Sequence, residues 1–189
     1  MIATADEPAL RACMHRISVE TYHRLGEMEL LGERTELIHG IIIDQMPKSP
    51  LHSAIVRRLD RYLLGVLPAG YTSRAEQPLT FIDSEPEPDI AVVRGDDYEY
   101  DAAHPRGAEL VIEVCVTTEE IDRVKLGLYA EAGVPECWLV LAGSRVLERH
   151  TQPSGSAYQH VAVTEFPALL ESTVVPELLL PQATLFRPQ

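Results

Sequence analysis

Two acids and a lysine are the residues best placed to do chemistry in this chain. Glu113 stands inside the apolar run Leu110-Val111-Ile112-Glu113-Val114-Cys115-Val116. An ionised carboxylate in a buried strand costs on the order of several kcal/mol unless something pairs with it. Asp89 opens a second apolar run, Pro88-Asp89-Ile90-Ala91-Val92-Val93, and Lys125 follows in a stretch with helical spacing. If the strands around 89–94 and 109–116 pair, the two carboxylates come close and repel, unless a divalent cation lies between them. Such oxygen donors suit Mg²⁺ or Mn²⁺. A lysine beside them can orient an attacking water or stabilise charge on a phosphoryl group. The chemistry this points to is metal-dependent phosphodiester hydrolysis.

The surrounding pattern supplies the elements that must hold these groups. Ser18 caps a short helix ending near Gly26, and Glu36-Leu37-Ile38, His39-Gly40 and Ile41-Ile42-Ile43 read as a β-hairpin. From Ser49 to about Leu67, Leu51, Ile55, Leu59, Leu63 and Val66 recur at helical spacing, with Pro50 at the first helical position. Strands are predicted at about 71–75, 79–82, 89–94 and 109–116. Along the last, Val111, Glu113, Cys115 and Thr117 share one face. A second long helix over about 118–132 ends at Gly133 with Pro135 beyond, and its inward stripe reads as Ile121, Val124, Leu128 and Ala132, with Lys125 inside it. Asp122 and Tyr129 can both touch the surroundings of Lys125. Strands at about 137–141, 145–151 and 158–164 follow, and a tail rich in Leu and Pro is expected to cross the surface. The pattern is α+β (mixed α/β) around one central sheet.

A chain of 189 residues, 46% hydrophobic and 24% charged, reads as a single domain with an ordinary globular composition. No apolar run reaches the length of a membrane span, and the N-terminus lacks the features of a signal peptide. Cys13, Cys115 and Cys137 have no ligand-like spacing and read as reduced thiols of a cytoplasmic protein. Sixteen Lys and Arg against 29 Asp and Glu give a net charge of −13, which duplex DNA repels. DNA binding therefore calls for a local basic patch. Arg57, Arg58 and Arg61 on the long helix are the best candidates, although such a cluster is more often a solvated face. His52 at the start of that helix either contacts phosphate or solvates the helix end.

The stretches Glu36-Leu37-Ile38-His39-Gly40, Pro86-Glu87-Pro88-Asp89-Ile90-Ala91-Val92-Val93, Val111-Ile112-Glu113-Val114 and the run from Asp122 to Trp138 carry a resemblance. The chain resembles the Uma-two-type group of restriction endonucleases in the PD-(D/E)XK nuclease superfamily, over roughly residues 16–165, with a tail at 166–189. The resemblance implies a restriction-endonuclease-like core, a central mixed sheet flanked by helices. It also implies divalent-metal hydrolysis of DNA and, for an enzyme cutting two strands, a homodimer. It assigns Asp89 to the motif's Asp, Glu113 to its second acid and Glu36 to an accessory acid. Cys115 stands where the motif lysine belongs, and Lys125 is the natural substitute. Two other functions fit the same residues: a non-catalytic nuclease-like interaction module, and a metal-dependent hydrolase of a small phosphoester. A Walker loop, a Gly-x-Ser-x-Gly elbow, a Cys-x-x-Cys pair and a His-Glu-x-x-His motif are all absent from the sequence.

Overall fold

A computed structural model describes residues 13–32, 34–117, 119–165 and 168–186. The chain forms two compact units, one from residues 1–45 with 82–85, the other from 46–81 with 86–189.

In the first unit, helix α1 (Val19–Glu27) starts where Ser18 Oγ accepts the Thr21 N–H at 3.1 Å. Strands β1 (Thr35–Ile38) and β2 (Ile41–Asp44) then form the predicted antiparallel hairpin. Its turn residues, His39 and Gly40, both have positive φ (48° and 75°), the requirement of the tight turn that matches strand twist. Gly40 also lies under Arg16 and Ile17, with its carbonyl accepting the Ile17 N–H at 3.0 Å. A Cβ here would come within 2.7 Å of Arg16 Cβ, so the position admits only glycine without displacement. Leu37 is fully buried and pairs with Glu85 through two backbone hydrogen bonds.

The second unit is built on a six-stranded sheet in the order β3-β4-β5-β6-β7-β8. Its strands are β3 (Tyr71–Ala75), β4 (Ile90–Arg94), β5 (Leu110–Cys115), β6 (Glu136–Leu141), β7 (Val146–Ser154) and β8 (Ala157–Glu165). All neighbours are antiparallel except β5 and β6, which helix α3 (Glu119–Glu131) joins as a crossover. The helix ends as expected: Gly133 has φ 77°, Val134 N–H bonds Tyr129 O and Gly133 N–H bonds Ala130 O. That double bond satisfies the last carbonyls of the helix and turns the chain into β6.

Both faces of the sheet are covered. Helix α2 (Pro50–Val66) lays Ile55, Val56, Leu59 and Leu63 on the face formed by Ile90, Val92, Leu110, Ile112, Val114 and Trp138. The opposite face carries Ala91, Val93, Val111, Cys115, Cys137 and Leu139 against Leu126 and Tyr129 of α3. The alternation along β5 is therefore the one read from sequence, with Glu113 on the α3 side.

Three expectations change. The strand expected over 79–82 does not form. Leu79 N–H bonds Pro86 O and Thr80 N–H bonds Pro105 O, but Pro86 and Pro88 have no N–H to return, so a ladder cannot propagate. The tail is core rather than surface cover. Short strands β9 (Leu169–Glu171) and β10 (Leu179–Pro181) form a hairpin, and Leu170, Val175, Leu178, Leu180 and Leu185 close the α2-side cluster. The inward face of α3 also differs: Ile121 and Val124 are exposed, while Asp122, Lys125, Leu126 and Tyr129 are buried. The helix is rolled so that Lys125 and Tyr129 reach the buried acid on β5, which overrides the apolar stripe.

Glu136, at the start of β6, is a fully buried acid whose partners are structural. Its carboxylate accepts from Trp138 Nε1, Thr173 N and Thr173 Oγ1 and so ties the tail to the sheet. Glu136→Ala strands the buried Trp138 Nε1–H and releases the exposed Thr173, and is expected to cost about 2 kcal/mol, on the scale of one buried unsatisfied group. Urea unfolding should show a lower midpoint with an unchanged slope.

Candidate active site

The sheet delivers both candidate acids to one place. Asp89 lies one residue before β4, whose register sets Ile90 opposite Ile112. The two acids are locked reciprocally: Val114 N–H donates to Asp89 Oδ2 at 2.8 Å, and Asp89 N–H donates to Glu113 Oε2 at 3.2 Å. Each carboxylate thus caps a backbone amide of the other's strand, and both residues are buried.

Helix α3 completes the surroundings of Glu113. Tyr129 O–H donates to Oε1 at 2.6 Å, and Lys125 Nζ lies 3.9 Å from the same oxygen. Burial is the main influence on this carboxyl and pushes its pKa up to about 8. Lys125 and the Tyr129 hydrogen bond act downward, while the charges of Asp89 and Asp122 act upward. Where the usual motif lysine would stand, Cys115 is buried, and burial followed by the charge of Asp122 raises its thiol pKa. The position is filled by a neutral side chain packed against α3.

A second set of groups surrounds Asp89. His52, on the first turn of α2, is positioned by its N–H donating to Ser49 Oγ, and its Nε2 lies 2.9 Å from Asp89 Oδ2. His52 Nδ1 is buried with no hydrogen-bond partner among the described residues. Glu76, just after β3, donates its N–H to Asp89 O at 3.0 Å. One donor atom each from His52, Glu76 and Asp89 lie within 4.8 Å of one another. Two carboxylates and an imidazole fit a divalent cation: the oxygens suit Mg²⁺ or Mn²⁺, and the nitrogen shifts the balance toward Mn²⁺. Lys48 reaches into the same group, with Nζ 2.7 Å from Glu76 Oε1 and 3.8 Å from Asp89 Oδ1.

The remaining sequence candidates stand elsewhere. Glu36 is buried in β1 of the first unit, where Gln45 Nε2 donates to it at 3.4 Å. Arg57, Arg58 and Arg61 are exposed on α2, but helical geometry sets them roughly 120–180° around the axis from His52. Arg58 also bonds Leu185 O at 2.7 Å and so serves the C-terminal turn. The arginines do not share the helix face that meets Asp89. Sequence reasoning missed Glu76 and Lys48. Both sit in connections between elements, where no periodicity singles out a residue.

The fold is of a kind already seen. The structure superposes with a TM-score of 0.65 on the crystal structure of a "putative nuclease belonging to DUF820" from Anabaena variabilis. The two chains share 21% sequence identity, and the match covers 86% of this chain and 96% of the other. No curated protein matches the sequence. Residues 19–183 match the Uma2 family, described as "Putative restriction endonuclease". With a nuclease-like fold, a match over nearly all of the described chain and a pair of interlocked acids, this protein belongs to the Uma2 family.

Proposed function

We propose that the protein is a divalent-cation-dependent deoxyribonuclease that hydrolyses phosphodiester bonds. The observation that carries this reading is the buried Asp89–Glu113 pair with Lys125 Nζ 3.9 Å from Glu113. Asp89 and Glu113 are the proposed cation ligands, with His52 and Glu76 also within reach of Asp89. When bound, the cation, Mg²⁺ or Mn²⁺, supplies charge neutralisation at the phosphodiester and acidifies water. The chain's own residues supply the geometry. Val114 N–H and His52 hold the Asp89 carboxylate, and Tyr129 fixes Glu113. Lys125 presents a positive charge beside Glu113, where it can hold an attacking water and stabilise charge developing on phosphorus-bound oxygen. Its place on α3 compensates for Cys115 on β5. The proposed substrate is DNA, cut by a homodimer, as the family resemblance implies.

The direct test is a nicking assay on plasmid and single-stranded DNA with Mg²⁺ or Mn²⁺. Wild type should cut in a metal-dependent way and Glu113→Ala should not. Equal cleavage by both proteins would remove Glu113 from catalysis, and absence of cleavage in wild type would leave the non-catalytic module as the better reading. Lys125→Met should keep the fold and the cation affinity while lowering turnover about 10²–10³-fold, the scale of one preorganised electrostatic contact.

The Glu113 pKa gives a third expectation. With chelator present, the folded protein holds a proton on Glu113 up to about pH 8, whereas the unfolded chain releases it near 4.5. The native state therefore binds more protons across that window, and stability falls as pH rises through it. Glu113→Gln removes this decline, so its melting temperature relative to wild type should be higher at about pH 8 than at about pH 5. A constant difference between the two proteins across that range would mean that Glu113 ionises normally.

A further inference from the structure

Glu76 is held in a backbone conformation that side-chain-bearing residues rarely adopt. Its φ of 54° is left-handed, a strained conformation for a residue that is neither Gly nor Asn. Such strain persists only where neighbours over-determine it. Here the Glu76 N–H is bound by Asp89 O, and the carboxylate is bound by Lys48. The chain is thereby bent so that Glu76 joins Asp89 rather than continuing β3.

Lys48 is unlike a surface lysine. Its side chain is 16% exposed, and its ammonium lies against both carboxylates of the His52–Glu76–Asp89 group. A single positive charge thus sits beside donors whose number, type and spacing suit a doubly charged ion. Ammonium and metal ion would both draw on Glu76 and Asp89. His52 has one ring nitrogen committed to Asp89 and the other without a partner among the described residues.

We propose that Lys48 is the built-in counter-ion of the Asp89 cation site, to which His52 and Glu76 add donors beside Glu113, and that an entering divalent cation displaces it. The proposal rests on the metal-dependent reading above and extends it to a residue that competes with the metal. In the metal-free protein the ammonium offsets the mutual repulsion of the two acids. On loading, Glu76 and Asp89 exchange that contact for the cation, and the tethered lysine swings away. The competition sets the affinity below what the donors alone would give.

Calorimetric titration of MnCl₂ into the metal-free, full-length protein, with no DNA present, tests this separately from any nuclease activity. Lys48→Met should bind Mn²⁺ about fivefold more tightly than wild type, the scale of losing one partly exposed ion pair. Lys48→Gln serves as a second charge-free variant should the first not fold, with the same gain expected. Lys48→Arg retains the competitor and should stay near wild type. Glu76→Gln should weaken binding at least about tenfold, the scale of losing an oriented site group. Mn²⁺ affinity unchanged or weaker in both charge-free variants would overturn the displacement while leaving the metal-dependent reading intact. Unchanged affinity in Glu76→Gln would remove Glu76 from the site, and a lack of binding in every protein would overturn both readings.

Discussion

The second unit of this protein is organised around one electrostatic problem, a carboxylate on the middle strands of a sheet covered on both faces. Glu113 has apolar neighbours above and below it on β5, and water cannot solvate it there. Burial therefore favours its neutral form, and its oxygens are engaged by groups that the fold brings to them: a phenol, an ammonium and a backbone amide. Those groups come from β4 and α3, so the roll of α3 and the register of β4 both answer to Glu113. Apolar packing alone would have favoured Ile121 and Val124 on the inner face of the helix, and both are exposed. The polar contact decides between the two orientations.

The same logic bears on the proposed function, in which Lys125 takes the place of a lysine on β5. A lysine on β5 would have to reach the acids from a strand whose α3-facing side is filled by packed side chains, among them Cys115. On α3 the lysine arrives from above, carried by a helix whose position is fixed by Leu126 and Tyr129. Around Asp89, Lys48 and His52 are brought by the loop before α2 and by its first turn. With a net charge of −13 the chain cannot attract DNA through its average field. In the proposed function the positive charges that serve it are the few placed beside the acids.

Much of this was legible in the residues. Ser18, Ser49 with Pro50, His39-Gly40 and Gly133 marked boundaries that the structure reproduces, because caps and turns are local chemistry. The alternation along β5 also held, since strand geometry leaves no choice of face once a strand exists. What failed depended on partners distant in sequence. The 79–82 run has strand-like residues, but the segment beside it contains two prolines. The tail looks like surface cover until the uncovered end of the α2-side core is seen. Glu76 gave no signal because its importance lies in a backbone angle and in a lysine 28 positions earlier. Glu136 was overlooked because a glutamate beginning a strand is ordinary until Trp138 and Thr173 converge on it.

The reciprocal bonds between Asp89 and the Glu113–Val114 segment also complete the hydrogen bonding of the sheet. Strands β4 and β5 share only three registered pairs, so β5 runs on past its neighbour and the sheet opens there like a fork. A fork leaves backbone donors without strand partners, and a buried donor left unpaired is costly. Here side-chain oxygens occupy those donors: Asp89 covers the Val114 amide, and Glu113 covers that of Asp89. The two acids that meet at the candidate site are thus also what satisfies the buried amides of the split seam.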